Sequence, residues 1–255
     1  MVGTSTVLGS RTRRAAAFAY LSGWLAAYYA TSEWLWHAPT WWDVAFLALV
    51  LIPSVFGLVL LVAPDWNARG VLPIGLALVV LAVVLELANL GAAAGFAKLF
   101  AVTAIGFWFL SVFEQVSWLV LVALLIPIVD AYSVWRGPTH HIVTKQEHLF
   151  TTLSFAFPVP GEHGSANLGL PDLLFFAVFL AATVRFGLRV RLTWLCMTLS
   201  FGLTMALAVG FDATGLPALP LLSLAFLAPN VDLLWAQVRR RSAAGREAPD
   251  VAVGG

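Results

Sequence analysis

What most constrains this chain is a succession of apolar stretches, each long enough to cross a bilayer and most joined by very short connections. A crossing helix needs roughly 17–25 apolar residues, and such stretches are expected at 15–36, 42–63, 71–92, 96–114, 117–135, 168–185, 191–211 and 216–238. Lipid offers the backbone no hydrogen-bond partners, so each stretch must satisfy its own amides as a helix. Composition agrees: 61% of the 255 residues are hydrophobic and 11% charged, against about 45–50% and about 25% in a soluble domain. The expected fold class is an all-α polytopic membrane protein, with about eight transmembrane helices in one bundle.

The divisions that follow are a tail at 1–14, five helices over 15–135, an outer loop at 136–167, three helices over 168–241, and a small, polar, disordered tail at 242–255. The RTRR flank and first apolar stretch look like a signal sequence, but no small-residue cleavage site closes the run, so it is expected to stay as a span. The GAAAG turn at 91–95 decides whether 71–114 holds two spans or one. With eight, one side carries Arg11, Arg13, Arg14, Arg69, Arg185, Arg189, Arg191, Arg239, Arg240, Arg241 and Arg246. The other has only Lys98, Arg136 and Lys145. Lys and Arg favour cytoplasmic loops, so both termini are expected in the cytoplasm, the protein in the cell membrane, and 136–167 outside.

Net charge is +1, and no zinc-finger or nucleotide-binding spacing is present. Nucleic acid is therefore excluded as an expected partner, and no cofactor is implied. Cys196 is the single cysteine and sits in an apolar run, where it reads as a small buried hydrophobe. The outer loop holds His140, His141, Glu147, His148, Glu162 and His163, but their spacing matches no familiar zinc pattern. Glu86 is given a structural role, against Lys98 or another polar helix face.

Two aspartates interrupt this apolar sequence, Asp130 in LLIPIVDAYSVW and Asp172 in LGLPDLLFFAVFL. An ionised side chain at the centre of a span costs at least about 2.5–3.5 kcal/mol, so such a residue faces protein or water and usually has a function. Asp130 lies five residues before Trp135, about 8 Å from the outer end of its helix, and Asp172 four residues after Leu168, about 6 Å in. The last stretch starts on the same side with LPALP. Pro127, Pro171, Pro217 and Pro220 cluster at this level, where interrupted backbone is tolerated only beside protein or a water-filled cavity. The plainer reading is that Asp172 is a helix-start residue favoured by the dipole. That explanation does not extend to Asp130, which sits toward the end of an outgoing helix. Two neighbouring carboxylates titrate as a unit and hold one proton between them, which is the apparatus for acid–base hydrolysis of an amide.

At these residues the chain resembles the presenilin and signal peptide peptidase family of intramembrane aspartyl proteases, known by a GxGD motif. The match covers about 117–238, so the fold is expected to be presenilin-like in the C-terminal half. VDAYSVW supplies Asp130, LGLPD supplies Gly169, Leu170 and Asp172, and LPALP supplies the Pro-Ala-Leu motif of Pro217, Ala218 and Leu219. The resemblance implies a catalytic pair, Asp130 and Asp172, with substrate held by Gly169, Leu170, Pro171, Pro217, Ala218 and Leu219. It implies no metal, and single-span proteins or signal-peptide remnants as substrates. The sequence names no partner subunits. Val129 stands where the family has an aromatic, Pro171 replaces the second glycine, and eight spans replace the usual nine. Pro171 suggests an alternative, a catalytically silent homologue that binds membrane helices. A proton-coupled transporter is a third reading, without the inverted repeats many transporters show.

Overall fold

The computed structural model describes residues 10–136, 152–213 and 216–244. Most of them are helical, and five helices are long and apolar enough to cross a membrane: Thr40–Asp65, Gly91–Val112, Val116–Ser133, Val190–Gly210 and Leu219–Arg239. The helices are α1 (Arg11–Thr31), α2 (Thr40–Phe46), α3 (Ile52–Val62), α4 (Val71–Leu87), α5 (Gly91–Val112) and α6 (Val116–Arg136). Two strands follow, β1 (Ser154–Pro158) and β2 (Ser165–Gly169). The chain then forms α7 (Leu170–Arg185), α8 (Val190–Gly210), α9 (Leu219–Leu227) and α10 (Val231–Ala244).

Prolines shape the long helices locally. Between α2 and α3 the chain forms a π turn at Leu47–Leu51, in which the Ile52 N–H reaches back to Leu47 O. Pro53 has no amide to return to the preceding turn, and the Ser54 hydroxyl instead donates to Val50 O at 2.6 Å. The last rod is interrupted at Ala228–Asn230, around Pro229. There Asn230, fully buried, accepts from the Arg189 main-chain N–H at 3.0 Å. Its amide group donates to Thr193 Oγ1 at 2.7 Å and Phe226 O at 2.8 Å.

The GAAAG question is answered by two helices. α4 ends at Leu87, Asn89 turns the chain with φ 57°, and α5 starts at Gly91 and packs back along α4. Lys98 Nζ and Glu86 Oε2 pair across this hairpin at 2.8 Å. α4 is apolar but has only 17 residues, and α7 has 16 because β2 occupies the start of the stretch expected to be helical.

α7 is the centre of the bundle. Phe176 through Thr183 are all fully buried, so the helix is enclosed on every side. Phe176 meets Phe56 at a ring-centroid distance of 4.1 Å, and Phe179 stacks on Phe226 at 4.6 Å. α6 is peripheral by contrast, packing on α9 and α10 and exposing Leu124, Leu125, Ile128 and Val129. One end of the bundle gathers arginines: Arg14 pairs with Asp65 at 3.0 Å, Arg185 donates to Leu110 O, and Arg189 pairs with Asp232 at 2.7 Å. The opposite end holds both aspartates and the hairpin.

Candidate active site

Asp172 is placed by the junction of a strand and a helix. β2 ends at Gly169, which serves as N-cap of α7, and Pro171 follows at a first-turn position where no amide donor is needed. Pro171 therefore fits the helix start without disturbing it. Asp172 is the third residue of α7, the position from which the acidic member of a capping box turns back toward the N-cap, and its carboxylate lies close to Gly169. A Cβ on Gly169 would stand 3.2 Å from Asp172 Oδ2 and 3.5 Å from Pro171 Cδ. Glycine at 169 leaves room for the carboxylate.

Asp130 lies on α6, one turn beyond Pro127, and is half-buried. Its Oδ2 accepts from the main-chain N–H of Leu219 at 3.1 Å. Leu219 opens α9, so this amide has no partner inside its own helix, and a carboxylate from a neighbouring helix caps it. Ala218 and Leu219 are buried, and Pro217 is half-buried in the segment leading to them. The family resemblance implies that the Pro-Ala-Leu segment holds substrate. The Leu219 N–H of that segment is engaged by Asp130.

The pair is brought together through α9, which packs against both α6 and α7. The charge of Asp130 acts on Asp172, so the carboxylates lie within electrostatic reach. No direct hydrogen bond joins them among the described residues. Two helix N-termini, those of α7 and α9, converge here, and their positive dipole ends help two acidic groups occupy one region.

The sequence expects a loop at 136–167, whereas 154–158 and 165–169 form an antiparallel hairpin with Ser154 opposite Gly169 and Pro158 opposite Ser165. The alternation of SFAFP, with Phe155 and Phe157 buried and Ala156 exposed, is the signal that reveals β1. Leu170 N–H donates to Leu153 O and Val159 N–H to Gly164 O, which fixes the phase of the ladder. Residues 154, 156 and 158 thus turn their main-chain groups to the outer edge of β1, and 165, 167 and 169 to that of β2. The edges differ. Ala156 O accepts from the Tyr29 hydroxyl at 2.8 Å and Pro158 O from Tyr28 at 2.7 Å. Along β2 the main chain of Asn167 has no partner among the described residues, and this edge leads directly to Gly169 and Asp172.

His140, His141, Glu147 and His148 lie outside the described residues. His163 Nδ1 stands 3.4 Å from Glu33 Oε2, and Glu162 belongs to the hairpin turn. Among the described residues, no three His, Cys, Asp or Glu side chains are grouped to hold a metal ion.

The class these features define is a helical membrane protein with an acidic pair where a strand meets the bundle. No protein-family model, curated protein or solved structure matches the chain.

Proposed function

We propose that this protein is an intramembrane aspartyl protease, with Asp130 and Asp172 activating water to hydrolyse peptide bonds in single-span proteins or signal-peptide remnants. The observation that carries the reading is that α9 packs against both helices that bear the aspartates, with its first amide bonded to Asp130. One carboxylate accepts a proton from water as it attacks the amide carbonyl. The other, protonated, supports the oxyanion and then protonates the leaving amine.

Further support comes from β2. A transmembrane substrate must unwind before any peptide bond is attackable, because its amides are otherwise satisfied within the helix. The outward main chain of Asn167 on β2 offers replacement partners, as in recognition by strand addition, and the strand ends beside Asp172. The sequence resemblance to the presenilin and signal peptide peptidase family points the same way. In this reading the eight apolar stretches are eight spans, the arginine-rich end is cytoplasmic with both termini, and the pair lies toward the outer face of the cell membrane.

A second reading is favoured by one observation: Asp130 already caps the N-terminus of α9, and Asp172 lies in the first turn of α7, where the dipole favours an acid. On that reading the protein is a silent scaffold for membrane helices, and the aspartates are structural.

Reconstitution with a panel of transmembrane peptides separates the two, the parent being compared with Asp130→Asn and Asp172→Asn. Asparagine keeps a capping oxygen but cannot exchange the proton, so the folds should persist. The expected result is cleavage by the parent and a loss of about a hundredfold or more in each variant. Peptide binding without cleavage by any of the three supports the scaffold, and substrate-dependent proton flux supports a transporter.

A further inference from the structure

We propose that Tyr28 and Tyr29 of α1 are positioning residues that close the outer edge of β1, so that an extended peptide docks along β2 alone and is delivered toward Asp172. The inference rests on the protease reading for the nature of its ligand, a peptide backbone. The asymmetry between the edges rests on the hairpin itself.

A two-stranded hairpin has two edges and ordinarily offers both to an incoming strand. Here β1 is withdrawn in two ways. Pro158 has no N–H, and it stands at an outward position where a docking strand would seek a donor. Two acceptors of that edge, Ala156 O and Pro158 O, are taken by the hydroxyls of Tyr29 and Tyr28, whereas on β2 Ser165 O accepts from the Asn167 side chain at 3.4 Å and the main chain of Asn167 stays open among the described residues. Adjacent residues of one helix thus satisfy alternate carbonyls of one strand. Neither hydroxyl has any other hydrogen-bond partner among the described residues.

The same part of α1 holds the hairpin in place. The Gly161 N–H, at the hairpin turn, donates to Ser32 O at 2.7 Å. Gly161 has φ 73°, and a Cβ there would stand 2.8 Å from Leu35 O, so the turn is set tightly against the segment after α1. Phe155 packs on Tyr29 at 6.4 Å and on Phe96 of α5 at 5.7 Å between centroids. These contacts all fall on β1 and the turn. They leave the outward main chain of Asn167 free while fixing the strand that carries it.

Tyr28→Phe and Tyr29→Phe test the proposal singly and together. They keep the rings that pack on Phe46 and Phe96 at 5.4 Å and 5.0 Å and remove only the hydroxyls. Tyr20→Phe, on an exposed face of the same helix, is the control. The full chain in bicelles is mixed with a synthetic single-span peptide, and residue-resolved amide exchange is followed together with the positions of any cleavage. In the parent, peptide should slow exchange of the Asn167 amide by about tenfold or more, and leave the outward amides of Ser154 and Ala156 unaffected. In the double variant that protection should fall by about tenfold, the value of two modest hydrogen bonds. Cleavage should spread to neighbouring bonds with a raised KM and little change in kcat, while the α7 amides stay as protected as in the parent.

Protection along β1 in the parent, or β2 protection identical in parent and double variant, overturns the proposal. Cleavage without Asn167 protection overturns it and leaves the protease reading standing. Protection at Asn167 without cleavage does the reverse, and the absence of both overturns both.

Discussion

The main-chain N–H of Leu219 and the carboxylate of Asp130 meet at 3.1 Å, so an aspartate on α6 caps the first turn of α9. α6 is the most peripheral of the site helices, and this bond ties its acidic residue to the segment that also packs against α7. The Pro-Ala-Leu segment therefore orders one half of the pair. Within it Ala218 and Leu219 are buried, as such a role requires.

A working pair needs one carboxyl protonated and the other ionised, so peptide cleavage should follow a bell-shaped pH profile. At low pH both groups carry protons and no base remains. At high pH both are ionised and the acid is lost. Initial rates measured across the range in liposomes check this, and a profile with no alkaline fall would remove the shared proton from the mechanism.

Gly169→Ala should reduce cleavage by about ten- to a hundredfold with a small effect on stability, within about 0.5 kcal/mol. The residue has φ −61° and ψ 144°, which alanine adopts freely, so the backbone bears no strain. The added Cβ presses instead on Asp172 Oδ2 from 3.2 Å. Parallel assays of turnover and thermal unfolding would show the split.

Asn230→Ala should destabilise the protein by about 2–4 kcal/mol. Asn230 is fully buried and links the α7–α8 turn, α8 and the interrupted last rod through three hydrogen bonds. Alanine leaves the Arg189 N–H and Phe226 O without these partners. Unfolding in a mild detergent series would measure the loss, and an unchanged midpoint would contradict the packing described.

Gly202→Ala should cost about 1–3 kcal/mol, because its Cβ would stand 2.7 Å from Ala48 Cβ in the π turn. Ala48→Gly removes that atom, so the double variant should recover part of the loss. The comparison is a double-mutant cycle on thermal midpoints.

Much of the helical framework was legible because lipid and periodic apolarity constrain it strongly. The break expected at 91–95 falls just before it, at 88–90, with GAAAG itself forming the start of α5, the break expected after 63 lies beside the end of α3 at Val62, and the pairing of Glu86 with Lys98 follows from folding one apolar helix back on another. Asp130 and Asp172 could be picked out because charge is expensive in apolar runs, and Leu219 through its resemblance to the Pro-Ala-Leu motif. The hairpin was hidden in a polar loop. Five residues of SFAFP alternation are a weak signal beside spans four times as long, and β2 took residues 168 and 169 from the expected helix.

By itself, then, the sequence determined that the chain makes apolar helices and that two carboxylates interrupt them, since both follow from the local cost of placing each residue in lipid. Tertiary structure alone decided that Asp130 finds the Leu219 amide 89 positions away, and that Tyr28 and Tyr29 find the carbonyls of β1 some 130 positions away. Those partners are fixed by how helices pack in three dimensions, and a hydrogen bond between distant segments leaves no periodic trace in either one.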